Sequence, residues 1–366
     1  MKLVLFNQSE DSFLSDVVNL GEKKISTVNG VFYLTSAEKR EIIEYSRKVY
    51  QRVLERADTE KFFGHIRIDL VPEISNFRRI ENGYEWDLSI KGVYEINSNA
   101  PECGAATAAL HANHPKLAKL QPDPSKRIIK GLSDYINGDR VAFVIGRGAV
   151  KKEWGYFFMK SLRDKGLNVT KATPKEAVNY DCVWRFGDIR GGSYSEFPDN
   201  FRNKLIEKQK NSLVLNTVPE SPKKDIGNKR FLLDYPKERE IRVKKDALRA
   251  IKNAEKMNGV LKPLRGTSGK GIYFQENFSF SQWKEKLLEV VGKGYGLYKA
   301  KWLPKLDIGE VENGIVMDIS PSFLARGRNL DYLYSISRIE KYETYKKRRT
   351  INVAKGGGFV GTLIDK

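Results

Sequence analysis

Residues 259–274 read GVLKPLRGTSGKGIYF. A β-rich run delivers Lys262, a turn of small and polar residues reverses the chain, and GIYF at 271–274 returns as a second strand. Glycines in such a turn let backbone N–H groups come close to phosphate oxygens, and Lys262 adds a fixed positive charge beside them. The run is not a Walker A loop. That pattern needs Gly where Leu264 stands and Ser or Thr after Gly269-Lys270, where this chain has Gly271. A hairpin with a polar, Gly-rich turn accounts for the same residues without any ligand.

Working upstream, HIRIDLV at 65–71 and YEWDLSIKGVYEIN at 84–97 alternate as two neighbouring strands do. Arg67 and Asp69 alternate along the first and Glu95 and Asn97 along the second, so each pair points to one face. Oxygen donors of this kind suit a hard cation such as Mg2+, which takes a few carboxylate or amide oxygens together with water and substrate phosphates. Polar residues of period two that merely face water are the simpler account of either strand alone. Downstream, Gly356-Gly357-Gly358 lies between two apolar runs, which fits a lid over a ligand or a plain β-turn.

Residues 36–58 carry apolar positions at helical spacing and read as a long amphipathic helix. Ala105 to Leu120 is Ala-rich and expected to be helical up to Pro115. RVAFVI at 140–145, a helix ending near Gly166, and the runs LNVTKA and DCVWRF make a small βαβ-type unit. A helix at 246–257, strands at 296–303 and 314–319, the strand LDYLYSISRI, a basic connector and a closing strand complete an α plus β pattern in three regions.

The chain has 366 residues, of which 40% are hydrophobic, enough to form cores and to exclude whole-chain disorder. No apolar run reaches the roughly 20 residues of a membrane-spanning helix, and the first residues turn polar too soon for a signal peptide, so a cytoplasmic protein is expected. Two cysteines, Cys103 and Cys182, offer neither a disulfide framework nor a zinc site. His111 and His114 stand one helical turn apart, but His65 is the sole further histidine and supplies no nearby third ligand. Gly146-Arg147-Gly148 lacks the last glycine of a dinucleotide fingerprint, with Lys151 in its place. The formal charge of +19 attracts polyanions in general. With aromatic residues among basic ones at 342–349, it motivates the alternative of a nucleic-acid-binding protein.

Taken in order, RIDL, VYEINSNAPECG, VWRFGD, IGNKRFLL, VLKPLRGTSGKGIYF, and RIEK with AKGGGFVGTLID resemble the circularly permuted ATP-grasp ligases, among them eukaryotic-type glutathione synthetase and the synthetase domain of glutathionylspermidine synthetase. The likeness spans about residues 64–366. It implies an α+β, circularly permuted ATP-grasp fold with an inserted small α/β substrate-binding domain. The divisions are 1–138 for a segment bearing the magnesium-binding strands, 139–215 for the small domain and 216–366 for the ATP-binding domain with its lid. The activity implied is an ADP-forming carboxylate–amine ligase that makes an amide bond through an acyl phosphate, with ATP and Mg2+.

By the same resemblance Asp69, Glu95 and Asn97 hold Mg2+, and Arg67 and Arg338 serve catalysis. Lys229 and Lys262 contact ATP phosphates under a loop of Gly266, Thr267, Ser268, Gly269, Lys270 and Gly271. Tyr298, Lys299, Ala300 and Trp302 meet adenine, while Gly356, Gly357 and Gly358 form the lid. Arg185, Ser98 and Asn99 face substrate. Glutathione synthetase has an acidic metal ligand where this chain has Gly266, and Asp318 is the candidate for an extra carboxylate. The partners expected are a small-molecule or peptide carboxylate and an amine, with an acidic peptide or protein as a further acceptor class; neither a membrane nor nucleic acid is expected.

Overall fold

The computed structural model describes residues 1–5, 16–20, 23–59, 61–98, 108, 123–136, 140–146, 149–187, 197–221, 224–233, 238–253, 258–265, 271–349, 351 and 357–364. The strands in chain order are β1 (Lys2–Leu5), β2 (Asp16–Leu20), β3 (Lys23–Leu34), β4 (Phe63–Ile80) and β5 (Gly83–Asn97). Then follow β6 (Val141–Ile145), β7 (Val169–Lys171), β8 (Cys182–Phe186) and β9 (Leu213–Leu215). Next come β10 (Arg239–Glu240), β11 (Gly259–Pro263), β12 (Tyr273–Phe274) and β13 (Tyr295–Lys299). The last five are β14 (Lys305–Leu306), β15 (Ile315–Met317), β16 (Ser320–Arg326), β17 (Asn329–Lys341) and β18 (Gly358–Ile364).

These strands form three sheets, so the fold is a mixed α and β architecture. The large sheet runs β14-β15-β17-β16-β4-β5-β1-β3-β18, with β2 on β3. β18 also pairs with β17, so seven strands close into a ring, antiparallel except where β18 runs parallel to β3. Closure leaves those seven strands without a free edge. A second sheet, β10-β13-β11-β12, is antiparallel, and a third, β7-β6-β8-β9, is parallel.

The division drawn at residue 216 falls between β9 and β10. β14 to β18, all C-terminal to it, pair into the same sheet as β1 to β5, and the separate C-terminal sheet is confined to residues 239–299. Hydrophobic pattern shows where strands are but not which distant strand satisfies their edges. β1 to β3 and β16 likewise go beyond what the sequence pattern suggests; β16 contains Pro321, which sits in register opposite Ser335. The expected basic connector is the helix Tyr342–Arg348. The Ala-rich run at 105–120 lies outside the described residues apart from Ala108, and so do Cys103, His111 and His114.

The helix Ser36–Ala57 starts at Thr35, whose hydroxyl accepts from the Glu38 N–H while the Glu38 carboxylate accepts from the Thr35 N–H, satisfying two donors that a helix start leaves open. It buries Ile42, Val49, Tyr50, Val53 and Leu54 against a core shared with Ile66, Ile68 and Leu70 of β4. Ile66, Ile68 and Leu70 of β4 therefore face this core, and Arg67 and Asp69 face the opposite side. On that side Leu324, Tyr334 and Ile336 share a second core with Phe143, Phe158 and Trp184 of the parallel-sheet layer. Among the described residues no helix is long and apolar enough to cross a membrane.

Candidate functional site

β4 and β5 pair in antiparallel register, Arg67 opposite Asn97 and Asp69 opposite Glu95, with a register shift immediately after Asp69. That register sets four polar side chains in a block on one face. Asp69 is fully buried, and both of its oxygens are in use. Oδ1 accepts from Arg67 Nε at 2.6 Å and Ser320 Oγ at 3.0 Å. Oδ2 accepts from Arg67 Nη2 at 2.9 Å, Arg338 Nη2 at 3.0 Å and Asn97 Nδ2 at 3.2 Å. A carboxylate offers about four lone-pair sites, so this one is saturated. Asp69 orients two arginines here, and a cation at this carboxylate would compete with guanidinium groups already paired to it.

Arg338 reaches the block from β17. Its backbone N–H and Nε donate to Asp318 at 3.0 and 2.9 Å, and Nη2 bridges Asp318 and Asp69. Burial pushes the Asp318 carboxyl upward against the pull of Arg338, with the charge of Asp69 adding to the rise. Arg338 itself is held firmly charged: burial opposes this, and Asp318 and Asp69 outweigh it.

From the other end of the chain, Lys229 stands at the start of the short 3-10 turn Lys229–Leu232 and places Nζ 3.0 Å from Glu95 Oε2. The backbone N–H of Lys229 donates to the carbonyl of Leu264, which ties this turn to the end of β11. Burial disfavours charge on Glu95, yet Lys229, Arg67 and Arg338 together hold its carboxyl below the usual carboxylate range. Glu95 keeps 29% of its side chain accessible. Asn97 donates to it at 3.3 Å. Lys262, on β11, lies with Nζ 5.1 Å from the ring centre of Tyr94 and 5.6 Å from that of Tyr298. Burial first, then Lys229, lowers its ammonium to about 8, with Glu95 and Glu238 opposing and Lys301 adding to the fall.

Six of the expected residues thus share one neighbourhood: Arg67, Asp69, Glu95, Asn97, Lys229 and Arg338, with Lys262 within electrostatic reach of Glu95 and Lys229. Tyr298 is buried, the Lys299 N–H donates to Glu238 Oε1 at 2.8 Å, and the Ala300 N–H donates to the Asn258 carbonyl at 2.8 Å. Trp302 is half-buried, its ring 5.3 Å from Phe274. Ser98 is buried at the end of β5. Gly271 has φ 72°, in the region glycine favours, and a Cβ there would meet the Tyr295 hydroxyl at 2.6 Å. Gly266, Thr267, Ser268, Gly269, Lys270, Gly356 and Asn99 lie outside the described residues.

Arg185 is fully buried on β8; its Nε and Nη2 donate to the Asn216 carbonyl at 3.1 and 2.6 Å and its Nη1 to the Gly187 carbonyl. Its described contacts knit the parallel sheet to the chain beyond it. Gly357 and Gly358 are buried, and Gly358 pairs with Ile339 and with Ser26, so the glycine run leads directly into the sheet. Ser320 and Tyr94 belong to the neighbourhood without having been expected; a serine in SPSFLAR and a tyrosine in an alternating strand carry no signal in sequence.

Among the described residues no group of three or more His, Cys, Asp or Glu side chains could hold a metal ion. His65 is buried, its Nε2 3.0 Å from the Tyr334 hydroxyl, and burial, reinforced by Arg67, pushes it down to about 3. A site of one accessible carboxylate, one amide and several cations has too little negative charge for a bare divalent ion and suits a cation that arrives with phosphates.

No family model matches the chain, and no curated protein matches it. Among solved structures it is similar to a glutathione synthetase-like effector from Globodera pallida in its apo form, at 10% identity over 97% of this chain and 95% of that one, with a TM-score of 0.47.

Proposed function

We propose that this chain is an ATP-dependent ligase that joins a carboxylate to an amine through an acyl phosphate, releasing ADP and phosphate. The observation that carries this reading is the 3.0 Å contact of Lys229 with Glu95, with Lys262 beside them. It brings the acidic strand pair near the front of the chain to the basic turn and strand from its second half.

Glu95 and Asn97, with Asp69 behind them, fit the protein's share of a Mg2+ site completed by substrate phosphates and water. Bound Mg·ATP supplies the phosphoryl group that turns a substrate carboxylate into an acyl phosphate, whose carbonyl then takes the amine as phosphate leaves. Lys229 and Lys262 offset the charge of the phosphates. Arg67 and Arg338, fixed by Asp69 and Asp318, meet charge that builds on the transferring group without having to reorganise. Gly266 to Gly271, together with Gly356 ahead of β18, are assigned the role of covering the site and keeping water from the activated carbonyl. Ser98 and Asn99 are assigned to the substrate. No protein nucleophile is needed, so catalysis rests on positioning and charge.

The charge of +19 favours a second reading, a protein that binds a nucleic acid. Salt-sensitive retention of DNA or RNA with no nucleotide turnover would support that reading over the first. The deciding experiment is ADP release from ATP across pools of amino acids, peptides and polyamines, with mass spectrometry for a new amide. Glu95→Ala and Lys262→Ala are each expected to lower ADP release by about a hundredfold or more while the far-UV circular dichroism stays native. Full turnover by both folded variants refutes the roles given to them.

A further inference from the structure

Segment 299–303, which leaves β13 and leads to β14, is gripped by two tyrosines from opposite ends of the chain. The Tyr94 hydroxyl, on β5, donates to the Lys301 carbonyl at 2.6 Å. The Tyr345 hydroxyl, on the helix Tyr342–Arg348, accepts from the Leu303 N–H at 3.1 Å. The Lys301 side chain lies over Gly92 of β5, where a Cβ would come within 2.9 Å of its Cδ. The ring of Tyr94 faces the Lys262 ammonium at 5.1 Å. Tyr94, the residue next to Glu95 on β5, thus touches the lysine of β11 and the backbone of segment 299–303 at once. A ring face attracts an ammonium, and a buried hydroxyl–carbonyl bond fixes a backbone carbonyl that a strand ladder does not take.

We infer that Tyr94 is a positioning residue, which sets the Lys262 ammonium with its ring and the base-facing segment 299–303 with its hydroxyl, so that the phosphate and base ends of a nucleotide are held in fixed relation. This rests on the proposed ATP site. The two halves of the role separate chemically: Tyr94→Phe removes the hydroxyl and keeps the ring, whereas Tyr94→Leu removes both and still fills space beside Lys262.

The groups that face Lys262 are Lys229, Glu95, Lys301 and Glu238, together with the rings of Tyr94 and Tyr298. Acylation of Lys262 by an amine-reactive reagent, followed across pH by mass spectrometry, reports its titration whether or not the chain turns over ATP. The wild-type midpoint is expected near 8. Tyr94→Leu should lower it by roughly half a pH unit, because the ammonium loses the ring, and Tyr94→Phe should leave it in place. In parallel, the dissociation constant for Mg·ATP should rise about fivefold or more in Tyr94→Phe, with an unchanged melting temperature setting aside a folding defect. An unchanged or raised midpoint in Tyr94→Leu overturns the ring's role, and unchanged affinity in Tyr94→Phe overturns the hydroxyl's. Failure of the wild type to bind Mg·ATP sinks the ligase proposal and with it the nucleotide half of the role, while the acylation profile still decides the ring's contact with Lys262.

Discussion

Individual residues at this site carry opposite burdens. Asp69, Asp318, Arg67 and Arg338 form a buried, mutually paired set, whose geometry is fixed before any ligand arrives. Lys262 is held in a place where its charge is disfavoured, which is the condition of a group that gains from meeting an anion. His65 lies two positions from Arg67 on the same strand and is kept neutral by burial. Its folded value near 3 lies below the ordinary 6.5, so the unfolded chain binds more protons in that interval. The stability this histidine contributes is therefore whole above pH 6.5 and drains away as pH falls toward 3. Chemical denaturation at pH 7, 5.5 and 4.5 should show stability falling by up to about 1.4 kcal/mol per pH unit from this group. His65→Leu should have a shallower slope over that window, and equal slopes would show that His65 is protonated in the fold.

At the scale of elements, the helix Ser36–Ala57 shows how local chemistry and packing share the work. Thr35 and Glu38 close its first turn, and its buried face rests on β4, the strand that carries Arg67 and Asp69. Replacing Thr35 with Ala removes the acceptor for the Glu38 N–H and should cost about 1 kcal/mol in urea unfolding, with Thr35→Ser close to wild type. Both the helix and the cap are legible in TSAEKREII, because the pattern is local. The hairpin of β4 and β5 is legible for the same reason: 65–71 and 84–97 alternate cleanly, and their register needs only a short turn. β16 is not, because its place between β4 and β17 is decided by partners more than 240 residues before it and by the strand after it.

For the whole molecule, the decisive junction joins the ring of strands to the parallel-sheet layer at Gly64 and Asn216. Asn216 is buried with φ 60°, accepts the His65 N–H at 3.0 Å through Oδ1, donates to the Arg185 carbonyl at 3.2 Å, and receives Arg185 on its own carbonyl. A Cβ on Gly64 would fall 2.5 Å from both the Asn216 backbone nitrogen and its Oδ1, so no side chain fits without parting the two layers. Gly64→Ala should cost about 1 to 3 kcal/mol or more and lower the melting temperature, whereas Gly166→Ala, with open space around it, should cost only its backbone strain. A melting temperature for Gly64→Ala equal to wild type would mean that the junction yields more readily than its contacts suggest.

The amino-acid sequence by itself determined the strands and helices whose patterns are local, and the residue types able to meet phosphate and magnesium, because period, caps and turn chemistry act over a few residues. The tertiary structure decided that β14 to β18 join β1 to β5, that Arg185 meets backbone carbonyls, and that Asp69 pairs with two arginines while Glu95 faces Lys229. Those outcomes depend on which distant groups meet at 3 Å, and pairing across such separations is settled by the packing of the entire chain.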